Sequence, residues 1–247
     1  MIFKLILLQF LAHLLADFIF QPQAWSNGKC RRPFTSHHVW HGLVVFACSW
    51  LLSFDLHYLF AALVLTVIHF FTDVLKSFLV IRSKVKGTNK NYFFTDQFIH
   101  LFFLVIIPVW YGQTQGIRFV ADLPLQPIAV ITAFVFCSKP ANIFIKNILT
   151  VFSIAIPTQE HPFVVKHEDQ NTERSLPNAG KLIGIMERLL TLALILVGQY
   201  GAVGLIIAAK SILRFKDTQM NEYILVGTLL SFSFAVLPGI LIAVFIS

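Results

Sequence analysis

Residues 59–80, LFAALVLTVIHFFTDVLKSFLV, decide how this chain is to be read. The stretch is apolar over the length of about 20 residues that a helix needs to cross a bilayer, yet it carries His69, Asp73 and Lys76. A soluble core strand or helix of this hydrophobicity would be shorter, so the stretch predicts a membrane span. Residues four apart lie on one helix face, about 6 Å from each other, so His69 and Asp73 present two metal-type side chains in one direction. Ionisable groups inside a span are costly and mark function by default.

Similar windows flank it, near residues 2–20, 38–54, 93–112, 125–138, 182–199 and 222–246, while 202–215 is apolar but short. The expected fold is therefore all-α, a polytopic transmembrane bundle of about seven spans plus short or interfacial helices. Composition agrees: 57% of the 247 residues are hydrophobic and 13% charged, and mean hydropathy is +0.76, outside the range of soluble domains. The net charge of +7 would suggest nucleic acid in a soluble chain. Here the basic residues sit in short loops between apolar runs, where they set topology, and no nucleic-acid partner is expected. The first apolar stretch lacks a small-x-small cleavage site and carries His13 and Asp17, so it reads as a retained span. Cys30, Cys48 and Cys137 form no CxxC and read as packing residues.

The i, i+4 spacing of His69/Asp73 recurs at His13/Asp17, His37/His41 and Asp96/His100. Loop charge gives these pairs a common level. Lys29, Arg31 and Arg32 follow the first span and Arg82, Lys84, Lys86 and Lys90 the third, whereas the turns near 55–57 and 113–123 hold only Arg118. The basic loops should be cytoplasmic and the N-terminus external. At 1.5 Å per residue, all eight side chains then fall within roughly 5 to 16 Å of the cytoplasmic boundary. One His-x-x-x-Asp pair in a span is more often a hydrogen-bonded packing pair or a proton-relay step than a ligand set. Four pairs at one depth, on four antiparallel helices, favour a metal site of the kind bundle cores build.

Imidazoles and carboxylates without thiolates suit a divalent metal, zinc first, with iron or manganese as alternatives. Eight ligands exceed the needs of one ion, which points to two ions or to some members orienting others. No catalytic base is singled out. Gln21, Lys29, His38, Lys76 and Gln97 flank the ligands as candidate orienting or substrate-binding groups, with His38 turned about 100° from His37. At headgroup depth the expected substrate is a membrane lipid or another amphiphile, and phosphoester hydrolysis fits a metal pair. Three other readings compete. A metal or proton transporter would need access from both sides, oxygen-activating di-iron chemistry is weakly suggested by adjacent His37 and His38, and a structural metal could merely staple a scaffold.

The strings HLLADFIFQ (13–21) followed by Trp25 and Lys29, HHVWHG (37–42), HFFTDVLK (69–76) and TDQFIHL (95–101) resemble, in order, the bacterial integral-membrane family known as domain of unknown function 3307. The resemblance covers roughly residues 1–110. A remoter likeness links the chain to YdjM-type membrane-bound metal-dependent hydrolases. The family supplies no activity, so the resemblance implies a bacterial inner-membrane protein and leaves the reaction open.

The chain divides into an N-terminal bundle (1–138) with the His/Asp site, an interfacial helix and polar cytoplasmic linker (139–180), and a C-terminal helical region (181–247). Phe144, Ile148 and Phe152 share one side of 139–155 at helical spacing, predicting a helix in the cytoplasmic interface. Residues 156–180, with Pro157, Pro162 and Pro177, read as a linker, with a lid as the alternative. His161 and His167 within them are expected to be solvated. Glu187, Arg188, Lys210, Arg214 and Glu222 should form structural ion pairs, Glu187 with Lys210 or Arg214 first. Gly184, Gly198, Gly201, Gly204, Ala208, Ala209 and Gly227 should allow close helix approach.

Overall fold

The structure is a computed structural model and describes residues 1–29, 32–83, 89–116, 123–152, 179–214 and 221–245. These form ten α-helices: α1 (Ile2–Leu14), α2 (Gln23–Lys29), α3 (Ser36–Leu52), α4 (Leu59–Arg82), α5 (Asn89–Thr114), α6 (Leu125–Cys137), α7 (Lys139–Val151), α8 (Ala179–Leu196), α9 (Tyr200–Arg214) and α10 (Asn221–Phe245). A π-helical turn, Leu15–Ile19, extends α1, and a 3₁₀ turn, Leu56–Tyr58, leads into α4. The fold is all-α, as the apolar runs require.

Among the described residues four helical segments are long and apolar enough to cross a membrane: Ile2–Ile19, Leu56–Arg82, Tyr92–Thr114 and Leu225–Phe245. A fifth is obtained if α6 and α7, bent by 49° at Ser138, count as one. The expectation of about seven spans thus exceeds what length and composition establish. Helix α3 has 17 residues and reaches only about 25 Å, short of a ~30 Å hydrocarbon core. Helix α8 holds Lys181, Glu187 and Arg188 within its 18 residues. Long apolar helices of this number indicate an integral membrane protein.

Helices α1, α3, α4 and α5 pack about a core of Leu5, Leu8, Val45, Ala61, Ala62, Leu65 and Leu104. Apolar residues on their outer faces, among them Leu63, Val67, Phe71 and Phe102, are exposed, as lipid-facing positions are. Polar side chains cross this bundle in layers. At one end, Tyr111 donates to Asp55 Oδ2 at 2.8 Å, Asp55 Oδ1 accepts from the His57 backbone N–H at 2.9 Å, and the Tyr58 ring meets that of Tyr111 edge-on at 4.9 Å. At mid-height Ser49 Oγ donates to Gln9 Oε1 at 2.6 Å and Gln9 Nε2 to the Ser49 carbonyl at 3.0 Å. Each group satisfies the other, the condition for burying them cheaply. The His/Asp residues occupy the opposite end.

A second core, Ala129, Ala133, Cys137, Leu192, Ala235 and Ile242, joins α6, α8 and α10. Close approach there depends on Gly239, where a Cβ would stand 2.9 Å from Ile195 Cγ2. Of the small residues expected to serve this purpose, Gly201 and Gly204 have nothing within 4 Å, and Gly198 instead takes a positive φ of 74° at the turn after α8. Arg188, 2% exposed, ties this core to α7. It donates to the Cys137 carbonyl at 2.8 Å, Ser231 Oγ at 3.0 Å, the Ser138 carbonyl at 3.4 Å and Asn142 Oδ1 at 2.5 Å. Its partners are neutral acceptors, whereas a carboxylate was expected. Lys210 Nζ pairs with Glu187 Oε2. The side chains of Arg214 and Glu222 lie outside the described residues, as do Cys30 and residues 153–178 with His161 and His167.

Helix α7 is strongly amphipathic, and Pro140 at its start supplies the preset φ that suits a first turn. It does not lie loose against the bundle: Ala141 and Leu149 are buried, and Phe144 packs on Phe18, Phe93 and Phe136 at 5.9, 5.3 and 6.3 Å.

Candidate metal centre

Each ligand helix contributes through its own register. His13 ends the regular part of α1, and the π turn that follows sets Asp17 beside it, Nδ1 to Oδ1 3.5 Å. Such widened turns are frequent at functional sites. His41 lies one turn into α3, His69 and Asp73 about the middle of α4, and Asp96 and His100 in the first half of α5. Antiparallel packing brings these four positions to one end of the bundle.

Asp17 Oδ1 is the focus of one side. It stands 3.5 Å from His13 Nδ1, His41 Nε2 and His69 Nε2, yet accepts no hydrogen bond among the described residues. His41 Nε2 and His69 Nε2 are themselves 3.1 Å apart. On the other side His100 Nε2 lies 3.4 Å from Asp96 Oδ1 and 3.9 Å from Asp73 Oδ1, and both His100 Nε2 and Asp96 Oδ1 are buried without hydrogen-bond partners among the described residues. Asp73 Oδ2 links the halves, 3.7 Å from His41 Nε2 and 3.9 Å from His69 Nε2. The imidazoles of His69 and His100 stack at 4.0 Å.

These separations have a chemical meaning. Ligand atoms about 2.0–2.1 Å from a shared ion stand about 3.3 Å from one another in a tetrahedral shell. Buried polar atoms that converge near that distance and lack hydrogen-bond partners, as Asp17 Oδ1, Asp96 Oδ1 and His100 Nε2 do among the described residues, are what a cation would satisfy. In three overlapping groups one nitrogen or carboxylate oxygen of each residue lies within 4.8 Å of the others: His13, Asp17 and His69; His41, His69 and Asp73; Asp73, Asp96 and His100. His69 and Asp73 are each shared by two groups. The cluster could hold a metal ion.

The surrounding side chains hold the ligands in place. His13 Nε2 meets Gln97 Oε1 at 3.2 Å, and Gln97 Nε2 donates to Asp96 Oδ2 at 3.3 Å, so one amide orients members of two helices. Lys76 Nζ donates to Asp96 Oδ2 at 2.6 Å, and Lys29 Nζ pairs with Asp73 Oδ2. In the amide orientation that satisfies its neighbours, Gln21 donates to the Asp17 carbonyl at 3.0 Å and accepts from Lys29 Nζ at 2.9 Å. A cavity of about 10 Å³ between Gln9, His13, Ser49, His69 and His100 is the size of a single buried water.

His37 and His38 exchange the places the spacing suggested. His37 stands apart from the cluster, stacked on Trp25 at 6.3 Å and pressed on Gly28, whose added Cβ would come within 2.3 Å of its ring. His38 is the inward residue, 1% exposed. It is engaged by the start of its own helix, accepting from the Thr35 backbone N–H at 3.2 Å in a capping box, and its Nε2 meets Ser77 Oγ at 3.0 Å. The His38 ring is therefore committed to a cap and a hydroxyl. Ser77 continues the His69/Asp73 face of α4 by another turn, a signal the sequence held.

Above the cluster opens a cavity of about 340 Å³. Asp17 and Asp73, each 9% exposed at the side chain, form its floor with Lys29, Lys76 and Gln97, and Lys139 and Lys146 of α7 line its wall. Nothing N-terminal to α6 announced those two residues as part of the site.

All seven clustered residues fall within the segment 5–121, which matches the family described as protein of unknown function (DUF3307). This segment belongs to the DUF3307 family. The DUF3307 segment ends after α5, so α6 to α10, including the lysine-bearing wall, lie beyond it. No curated protein and no solved structure matches the chain.

Proposed function

We propose that this protein is a membrane-embedded, metal-dependent hydrolase of a lipid or amphiphilic phosphoester, acting at the cytoplasmic leaflet. One observation carries the reading. Imidazole nitrogens and carboxylate oxygens of four helices converge, with Asp17 Oδ1 facing three imidazole nitrogens, at the floor of a cavity that also holds Lys29 and Lys76. Zinc is the proposed ion, with iron or manganese accommodated by the same donors, and the sharing of His69 and Asp73 between groups favours two. When bound, such a pair supplies an activated water and a Lewis-acid clamp on phosphoryl oxygens.

The chain's own residues have separate tasks. Lys29 and Lys76 bind the anionic group as point charges, and Gln97 fixes the His13 ring and Asp96. Phe18, Val80, Phe93 and Ile143 give the same cavity apolar wall for the hydrocarbon near the headgroup. In this reading α3 and α8 complete about seven spans, the N-terminus is external, and the basic loops place the cavity on the cytoplasmic side of a bacterial inner membrane.

Elemental analysis of the purified protein tests the premise, and phosphate release from a phosphorylated amphiphile in micelles tests the reaction. One to two equivalents of metal are expected, with release abolished by chelator and by His100→Ala. Absence of bound metal after incubation with zinc, iron and manganese would refute the proposal.

A further inference from the structure

Helix α7 turns a stripe of polar residues toward the cavity. Lys139, Ile143, Lys146 and Asn147 line it, at positions i, i+4, i+7 and i+8, which is one helix face. The rotation of the helix is fixed from its other side by Phe144 against Phe18, Phe93 and Phe136 and by the buried Ala141 and Leu149. The lysines are thus held over the His/Asp floor by packing.

The two tiers of lysine differ in their partners. Lys29 and Lys76 each meet a carboxylate, Asp73 and Asp96. Lys139 and Lys146 have no carboxylate partner among the described residues, and the contact of Lys139 is the Gln21 carbonyl at 3.5 Å. In the cavity lining the carboxylates of Asp17 and Asp73 offset the ammonium groups of Lys29 and Lys76, so the floor of the metal-free protein is not net positive. The wall is. A cavity of about 340 Å³ falls in the range of small-molecule sites, roughly 300–1,000 Å³, and exceeds what one phosphate fills.

We infer that α7 provides a second anion-binding tier, so that the site takes a ligand with two adjacent anionic groups, of the diphosphate class, one over the His/Asp floor and one between Lys139 and Lys146. The inference rests on the proposed phosphoester reading and adds the specificity element, which lies outside the DUF3307 segment. Interfacial lysines that merely attract anionic membranes would show no preference between one and two phosphoryl groups in a neutral bilayer.

Calorimetric titration of the full-length protein in phosphatidylcholine nanodiscs, with inorganic phosphate and with pyrophosphate, separates these cases. Pyrophosphate should bind at least tenfold more tightly than phosphate. The double substitution Lys139→Ala/Lys146→Ala should erase that advantage while changing phosphate affinity less than twofold, Lys139→Gln/Lys146→Gln should do the same, and Lys139→Arg/Lys146→Arg should preserve it. Equal binding of the two anions by the unaltered protein, or an unchanged pyrophosphate preference in the alanine and glutamine variants, would overturn the inference. Titrations are run on metal-loaded and chelator-stripped protein, so loss of the metal premise appears as missing metal and loss of the α7 tier as a missing pyrophosphate preference. Doping the nanodisc with a long-chain alkyl diphosphate identifies the source. Competition with pyrophosphate assigns a lipid ligand, and its absence with the preference intact assigns a soluble one.

Discussion

Asp17→Asn is predicted to lower metal affinity and raise the stability of the metal-free protein together. Asp17 Oδ1 faces three imidazole nitrogens at 3.5 Å and no ammonium, unlike Asp73 and Asp96, which have Lys29 and Lys76. In the metal-free protein the buried charge thus rests on imidazoles alone, with no lysine or arginine partner among the described residues, and the isosteric amide removes that charge without opening a cavity. A gain on the order of 1–3 kcal/mol is expected from relieving such a group. A dication about 4 Å from the carboxylate charge gains roughly 8 kcal/mol at an effective dielectric near 20, twice the value for unit charges. Retaining even a third of that difference after solvation is restored corresponds to about a hundredfold in affinity. The assay is zinc binding against a competing chelator, paired with thermal unfolding of metal-free protein in detergent. Asp73→Asn serves as the contrast: it leaves the Lys29 ammonium buried and unpaired, which should destabilise by about 3–5 kcal/mol. Zinc affinity in Asp17→Asn within threefold of the unaltered protein would refute the assignment of Asp17 as a ligand. A fall in metal-free stability like that of Asp73→Asn would refute the charge argument.

Two further outcomes follow from the register of α3 and from Arg188. His37→Ala should retain full metal content, because the ring stacks on Trp25 outside the cluster, whereas His41→Ala should lose at least one equivalent by elemental analysis. Equal losses in both would show that His37 reaches the site. Arg188→Met should leave metal affinity unchanged yet lower stability by about 2–4 kcal/mol in a detergent melt, since the Cys137 carbonyl, Ser231 and Asn142 lose their shared donor; an unchanged melting temperature would contradict this role.

Much of the centre was legible because helix periodicity and metal chemistry speak through the same spacing. Six members, His13/Asp17, His69/Asp73 and Asp96/His100, are i, i+4 pairs on long apolar helices, and packing had only to bring the faces together. His37 and His38 show where that signal ends. Adjacent histidines differ by one step of helix rotation, and here a capping box at Thr35 and the Trp25 stack set the rotation, making His41 the sole cluster ligand of α3. The π turn at Leu15–Ile19 had no marker in the sequence, because it depends on tertiary packing. Of the roughly seven expected spans, length and composition establish four or five among the described residues, because α3 and α8 have the hydrophobicity of spans but lack the length or the low charge. Arg188 was expected to seek a carboxylate, yet two carbonyls, an amide and a hydroxyl suffice for a guanidinium with five donors.

The division of the chain bears on how one His/Asp cluster could be combined with different cavity walls. Every clustered histidine and aspartate lies in the DUF3307 segment, on helices whose mutual packing fixes them within ångströms. The wall that meets the outer part of a ligand comes from α7, beyond that segment, tied to α6, α8 and α10 by Arg188 and to the centre by Phe144 against Phe18 and Phe93. Phe18 is the neighbour of Asp17 and Phe93 lies one turn before Gln97, so the aromatic contact that seats α7 adjoins both an ion-facing carboxylate and the amide that orients His13. Changes on the polar stripe of α7 can thus alter what is bound without disturbing the ligands, while changes at Phe144 would be felt by both.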